Sequence, residues 1–394
     1  MYLALGMIIF SPYMALVPLI YLLIRFLRQG EWVYDNTWTK GLLILFFWSF
    51  LVGLDNWNMP SVLASFVLLL FLGVSVYLQD HYQSEQDVEK LFRSVFILSL
   101  GSAFIGWLEH WDIITYTSTW WKYVLGTRSI VDIDEFRRIA GTFNNPNLAG
   151  TWYAVMIMIG FYFFRRNRGV LKLFYLLGMG VFGSVLMMTE SRASVIGLFL
   201  GFVIYSYFAG HKKKMLFLMF SLLAGTALML EYPAWFPRGE ILFGSIRDRQ
   251  AIWENCFHMF IIQPITGWGW FGIYYADSSV YHYARVFHAH NTLLTVAVSI
   301  GVVGLGVLMW MLWDLLQQIR VLFQNECRLT PLVSGIIAMI FGQGLFDFTI
   351  MSPQICMLLI GSWALTYSLA YAYRDVTDEL PALWYNRTRK WKKA

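Results

Sequence analysis

Two histidines flank an alanine in His288-Ala289-His290-Asn291, directly before an apolar run over 292–312. Nine residues then separate Asn291 from Gly301-Val302-Val303-Gly304. An imidazole accepts a proton near neutral pH, which is what a general base must do. On this reading His290 sits at the mouth of a helix whose glycines let a neighbouring helix approach closely. The plainer alternative is an interfacial histidine hydrogen-bonded to a loop. With His288 two residues away and His282 near, the pattern also permits a metal site, although no cysteine or clear carboxylate accompanies it.

Arginines supply the complementary chemistry. Thr189-Glu190-Ser191-Arg192 lies between two apolar runs with almost no loop. A charge at such a place is costly and marks a functional candidate. The guanidinium fork of Arg192 suits a phosphate or carboxylate; an Arg192–Glu190 pair, or snorkelling to headgroups, is the structural alternative. In the segment 245–253, helical spacing puts Arg249 and Trp253 on one face, continued by Cys256 and Phe257. This reads as an amphipathic helix, with Arg247 or Arg249 facing either an anionic ligand or lipid headgroups.

Two further segments carry turn chemistry. Asn145-Pro146-Asn147 follows Gly141-Thr142-Phe143 and predicts a helix start with Asn147 as its cap, while sugar recognition by the amides is optional. The segment 263–270 contains Pro264, Gly267, Trp268, Gly269 and Trp270. It is a glycine- and aromatic-rich turn, not a nucleotide loop after a strand.

The elements that must position these residues follow from composition. The chain has 394 residues, of which 58% are hydrophobic and only 13% charged. A soluble domain carries about 25% charged residues, so soluble domains, disorder and a disulfide-stapled scaffold are all excluded. Cys256, Cys327 and Cys356 lie far apart without a CxxC pair. Apolar runs near 3–27, 41–55, 61–79, 91–108, 148–164, 170–188, 193–210, 215–231, 291–319, 330–346 and 354–373 predict an all-α polytopic membrane protein. That is eleven spans, or twelve if Ser11-Pro12 breaks the first run.

Lys and Arg in the short loops set orientation. With 165–168 and 212–214 in the cytoplasm, alternation leaves 20 Lys/Arg against 11 Asp/Glu inside and 9 against 13 outside. The expected organisation is one membrane domain over 1–394, with outer loops at 109–147 and 232–290 and a basic cytoplasmic tail over 374–394. The outer face then gathers the imidazole, the arginines and many aromatics.

These residues resemble the O-antigen ligase and polymerase superfamily of bacterial membrane glycosyltransferases. The resemblance rests on His290-Asn291 with Gly301 and Gly304, and on Arg249 and Trp253 with Pro264, Gly267 and Gly269. Ser191-Arg192 at a helix start, and Gly141-Thr142-Phe143 with Pro146-Asn147, complete it in the same order over about 138–305.

The resemblance implies a GT-C-type, multi-pass enzyme of the bacterial cytoplasmic membrane, with its site facing the periplasm or outside and its C-terminus cytoplasmic. It implies transfer of a glycan from undecaprenyl diphosphate to a saccharide acceptor, either lipid A–core or a growing glycan, with inversion. Arg192 and Arg249 then hold the diphosphate and His290 deprotonates the acceptor. Arg247, His288, Asn291 and Asn147 join them as substrate-binding candidates. No metal or cofactor is required in this scheme, because arginine takes the cation's role, and no nucleic-acid partner is implied. Two other readings stand beside it. A peptidoglycan-type transferase would use an outer carboxylate such as Asp277 or Asp248. A lipid-linked glycan transporter or flippase would carry midplane charges, whereas Asp314 and Asp347 sit near predicted span ends.

Overall fold

The structure, a computed structural model, describes residues 2–11, 13–28, 36–114, 138–143 and 145–377. Among them there is no strand. The helices are α1 (Tyr2–Phe10), α2 (Leu16–Arg28), α3 (Thr37–Asp55), α4 (Met59–His81), α5 (Glu85–His110), α6 (Pro146–Arg166) and α7 (Gly169–Met188). They continue as α8 (Arg192–Phe208), α9 (Lys212–Glu231), α10 (Leu242–Ile262), α11 (Gly272–Tyr275), α12 (Thr292–Gln324), α13 (Thr330–Gln343) and α14 (Pro353–Thr377). The chain is an all-α polytopic membrane protein. Among the described residues eight helices are long and apolar enough to cross a membrane, and three shorter apolar helices (Leu16–Arg25, Arg192–Phe208 and Thr330–Gln343) fill the remaining expected positions.

Helix starts are set by short polar side chains. Asn36, Asn58, Ser84, Asn145 and Asn291 each accept a backbone N–H from the first turn of the helix that follows. The first apolar run is broken. Ser11 Oγ accepts from Tyr13 and Met14, which separates α1 from α2. Of the expected first outer loop, 115–137 and residue 144 lie outside the described residues, as does the basic tail from 378 onward.

Close helix packing does occur, but not where the sequence suggested it. A Cβ on Gly197 of α8 would lie 2.8 Å from the Met339 carbonyl of α13, and one on Gly201 2.9 Å from the Gly335 carbonyl. These small residues let the two backbones approach closely. Gly301, by contrast, adopts φ 65° and ψ −170° and breaks α12. A Cβ on Gly304 would meet the side chain of Ile300 within its own helix. Asp314, expected near the end of its span, lies well inside α12. There it accepts from the Tyr367 hydroxyl and from Gln318.

The segment between α9 and α12 packs Ile252, Cys256, Met259, Ile273, Tyr281 and Ala289 with Val298 of α12 into a small core of its own. It is fastened to the break in α12 by backbone hydrogen bonds. Trp268 N–H donates to the Val298 carbonyl, Gly269 N–H to Ser299 and Val302 N–H to Pro264, each at 2.8 Å. A helix opened at this point exposes backbone groups that need partners, and the loop supplies them. Trp48 Nε1 adds a bond to the Ile300 carbonyl at 2.8 Å.

Candidate active site

Loops at one end of the bundle bring together residues from four parts of the chain. His290 stands at φ 49°, immediately before the α12 cap Asn291. Its Nδ1 lies 2.9 Å from Oδ1 of Asp347, in the turn between α13 and α14. Asp347 is buried. Burial pushes its carboxyl pKa up, but the hydrogen bond from His290, the two nearby imidazoles and the Phe348 N–H outweigh this and hold it well below the usual range. An ionised carboxylate can only accept, so His290 carries its proton on Nδ1 and keeps the Nε2 lone pair free. That is the tautomer a general base needs.

His288 is engaged differently. Its Nδ1 accepts the His290 backbone N–H at 3.2 Å and is 3.9 Å from Asp347 Oδ1. Nδ1 already uses its lone pair, so the ring supports the left-handed turn at His290 and does not pair with the carboxylate. His288, His290 and Asp347 bring three ligand-type atoms within 4.8 Å of one another. The internal hydrogen bonds occupy Nδ1 of both rings and Oδ1 of Asp347, and among these three residues His290 and Asp347 form the direct side-chain pair. Neither His282, exposed with its N–H donating to Asn255, nor a cysteine joins the group.

A pH dependence of stability follows from His288. Burial pushes its imidazole down to about 4, against the attraction of Asp347. The unfolded chain therefore takes up this proton first as the pH falls through 6.5. Stability present above pH 6.5 is lost progressively down to about pH 4, by roughly 3 kcal/mol at most. Asp347, depressed below 3.8, gives up its contribution only at still lower pH. In detergent, the melting temperature of wild type falls across this window. His288→Asn, which retains an acceptor but cannot be protonated, flattens the fall; equal slopes in the two proteins would refute the assignment.

The arginines gather on the same side. Arg192 opens α8, and its Nη1 reaches the Arg238 carbonyl at 3.4 Å. It is within electrostatic range of Arg238 and Arg249. Arg249 in α10 is half-buried, and burial lowers its pKa while Asp347 opposes the shift. Arg247 is exposed. Two positions along a helix turn a side chain by about 200°, so Arg247 leaves the face that Arg249 presents to the cluster. Beside Arg192 lies a cavity of about 340 Å³, lined mostly by apolar side chains such as Val195, Phe199, Leu222 and Phe236.

Other candidates have structural duties. Trp253 Nε1 donates to the Ala289 carbonyl at 2.9 Å and ties α10 to the histidine loop. Cys256 continues that buried face, but Phe257 is 57% exposed. Eight residues rotate it about 80° away from Arg249, whereas seven bring Cys256 back into line. Asn291 caps α12 and donates to the Leu345 carbonyl. Asn147 is not the cap of α6. Asn145 is, and Asn147 instead reaches Asp347, Arg138 and Ser191. The turn carrying Gly141 is held by Glu109, whose carboxylate accepts from the Ala140 and Gly141 N–H groups. Asp248 accepts from Tyr283, and Asp277 caps Ser279. Both are exposed, so the carboxylate at the site is Asp347. It could have been found by the argument used for Arg192, as a charge in a short turn between two spans.

The fold and site define a multi-pass membrane protein with a His–Asp pair beside a cluster of arginines. A family model described as O-antigen ligase matches residues 177–309. This supports an O-antigen ligase or polymerase-type membrane glycosyltransferase. No curated protein matches the chain.

Proposed function

We propose that the protein is an inverting, metal-independent glycosyltransferase. It moves a glycan from undecaprenyl diphosphate to a sugar hydroxyl on the outer face of the cytoplasmic membrane. The observation that carries this reading is the His290–Asp347 pair at 2.9 Å, on the same side as Arg192 and Arg249. His290 Nε2 takes the hydroxyl proton as the acceptor oxygen bonds to the anomeric carbon. The bond from that carbon to the phosphate oxygen breaks, and undecaprenyl diphosphate leaves with its electron pair. Arg192 and Arg249 offset the charge that develops on the departing diphosphate. The apolar cavity beside Arg192 accommodates part of the polyprenyl chain.

The test combines purified protein, lipid-linked glycan and a saccharide acceptor in EDTA, with the product sized on a gel. Transfer is expected without added metal, and an absolute requirement for a divalent cation would overturn the arginine scheme. Charge-assisted hydrogen bonds contribute about 1.5–3 kcal/mol. Arg249→Ala therefore weakens binding of undecaprenyl diphosphate by roughly tenfold to a hundredfold, while Arg247→Ala stays within about twofold. The reverse order would assign the clamp to Arg247.

A further inference from the structure

Asn147 joins two parts of the site that are far apart in sequence. Its Nδ2 donates to Asp347 Oδ2 at 2.7 Å. Its Oδ1 accepts from Arg138 Nη2 at 2.9 Å and from Ser191 Oγ at 3.0 Å. Arg138 Nε also donates to the Thr189 carbonyl at 2.9 Å, so it braces the same turn that carries Ser191 and Arg192. The donors on one side and the carboxylate on the other assign the amide orientation without ambiguity. Both acceptor positions of Oδ1 are filled, which leaves that oxygen none for a substrate hydroxyl.

We infer that Asn147 is a positioning residue: it fixes the Asp347 carboxylate against His290 and couples that pair to the Ser191–Arg192 turn. The inference rests on the reading of His290 as the base. With Oδ2 held by Asn147, Oδ1 is directed at His290 Nδ1 and the Phe348 N–H, which lies 2.8 Å away. Without Asn147 Oδ2 loses its partner and the carboxylate can pivot about the bonds at Oδ1, so the imidazole it orients is less firmly fixed. Misplacement of this kind lowers the rate of the chemical step more than it lowers affinity.

The groups facing Asp347 are His290 and His288 from the loop before α12, Asn147 from α6 with Arg138 behind it, and Arg249 from α10. Two variants separate their effects. Asn147→Leu removes all three side-chain bonds at similar volume. Asn147→Asp still accepts from Arg138 and Ser191, but places a second carboxylate against Asp347.

In both variants kcat falls about tenfold or more, with the Kd for undecaprenyl diphosphate and the acceptor KM within about twofold of wild type. Infrared spectroscopy supplies a readout that needs no turnover. The Asp347 carboxylate band, identified by its loss in Asp347→Asn, should shift in Asn147→Leu, which removes the hydrogen bond to Oδ2, and should give way in Asn147→Asp to a protonated carboxyl band, because two facing carboxyls share a proton. A loss confined to KM would make Asn147 a substrate ligand and overturn the proposal, as would an Asp347 infrared band unchanged from wild type in both variants. If wild type transfers no glycan at all, the functional reading fails, and the infrared result alone decides whether Asn147 sets the state of Asp347. If Asn147→Leu does not fold, Asn147→Asp and the milder Ser191→Ala carry the test. Ser191→Ala should show the same split at about threefold in kcat, and unchanged kinetics in that variant would also count against the coupling.

Discussion

His290→Ala is expected to slow glycan transfer by orders of magnitude while leaving the lipid diphosphate bound. A positioned general base contributes about 10²- to 10⁴-fold, and the expected fall in kcat lies in that range. Among the described residues beside His290, neither His288 nor Asp347 is placed to take over the role. His288 has its Nδ1 turned to the His290 N–H, so its lone pair faces the backbone and not the acceptor. Asp347 is buried behind the imidazole and already accepts from Asn147 and Phe348. Alanine at φ 49° is strained, so a second variant is needed to separate chemistry from folding. His290→Asn tolerates the left-handed conformation and offers an N–H near Asp347, yet it has no basic nitrogen. Both variants should melt within a few degrees of wild type, bind undecaprenyl diphosphate normally and show the same fall in turnover. Wild-type turnover in His290→Asn would remove the general-base assignment, whereas loss of donor binding in both would move His290 into the diphosphate clamp.

How much of this was legible in the sequence depends on the range over which each feature is written. Spans are local, and long apolar runs placed the helices well. The candidate residue types were also local: His290, Arg192 and Arg249 stand in short segments beside the apolar runs, where an imidazole or guanidinium invites a functional as well as a structural reading. What the sequence could not show was pairing. His290 and Asp347 are 57 residues apart, and Asn147 and Asp347 are 200 apart. No periodicity connects them, and only the fold brings them together. The face of α10 is an intermediate case. Its arginines were equivalent by composition, and the burial of Ile252, Cys256 and Met259 turned Arg249 inward and left Arg247 exposed. The glycines of α12 were read for the wrong partner, because a high mean hydropathy conceals a backbone break that other segments stabilise.

That break makes Gly301→Ala a severely damaging small substitution. At φ 65° and ψ −170° the backbone occupies a region open essentially to glycine alone, and another residue there costs about 1–3 kcal/mol. The added Cβ would also overlap the Ile265 carbonyl, so an overpacking cost of about 1–3 kcal/mol is added. Relief by movement is blocked. Shifting 264–269 away from α12 stretches the bonds from Val302 to Pro264, Gly269 to Ser299 and Trp268 to Val298 together. The same shift would move α10, whose Met259 carbonyl accepts from Trp268 Nε1, and with it Arg249. Gly301→Ala should therefore yield little folded protein at 37 °C, and what folds should be weakened in donor binding as well as in turnover. Gly306→Ala, five residues along the same helix with no heavy atom within 4 Å of its added Cβ, is the control and should be neutral or slightly stabilising. Melting curves in detergent compare the two directly. Equal melting temperatures would mean that α12 runs unbroken through Gly301, and the loop carrying Pro264, Gly267 and Gly269 would then need another anchor.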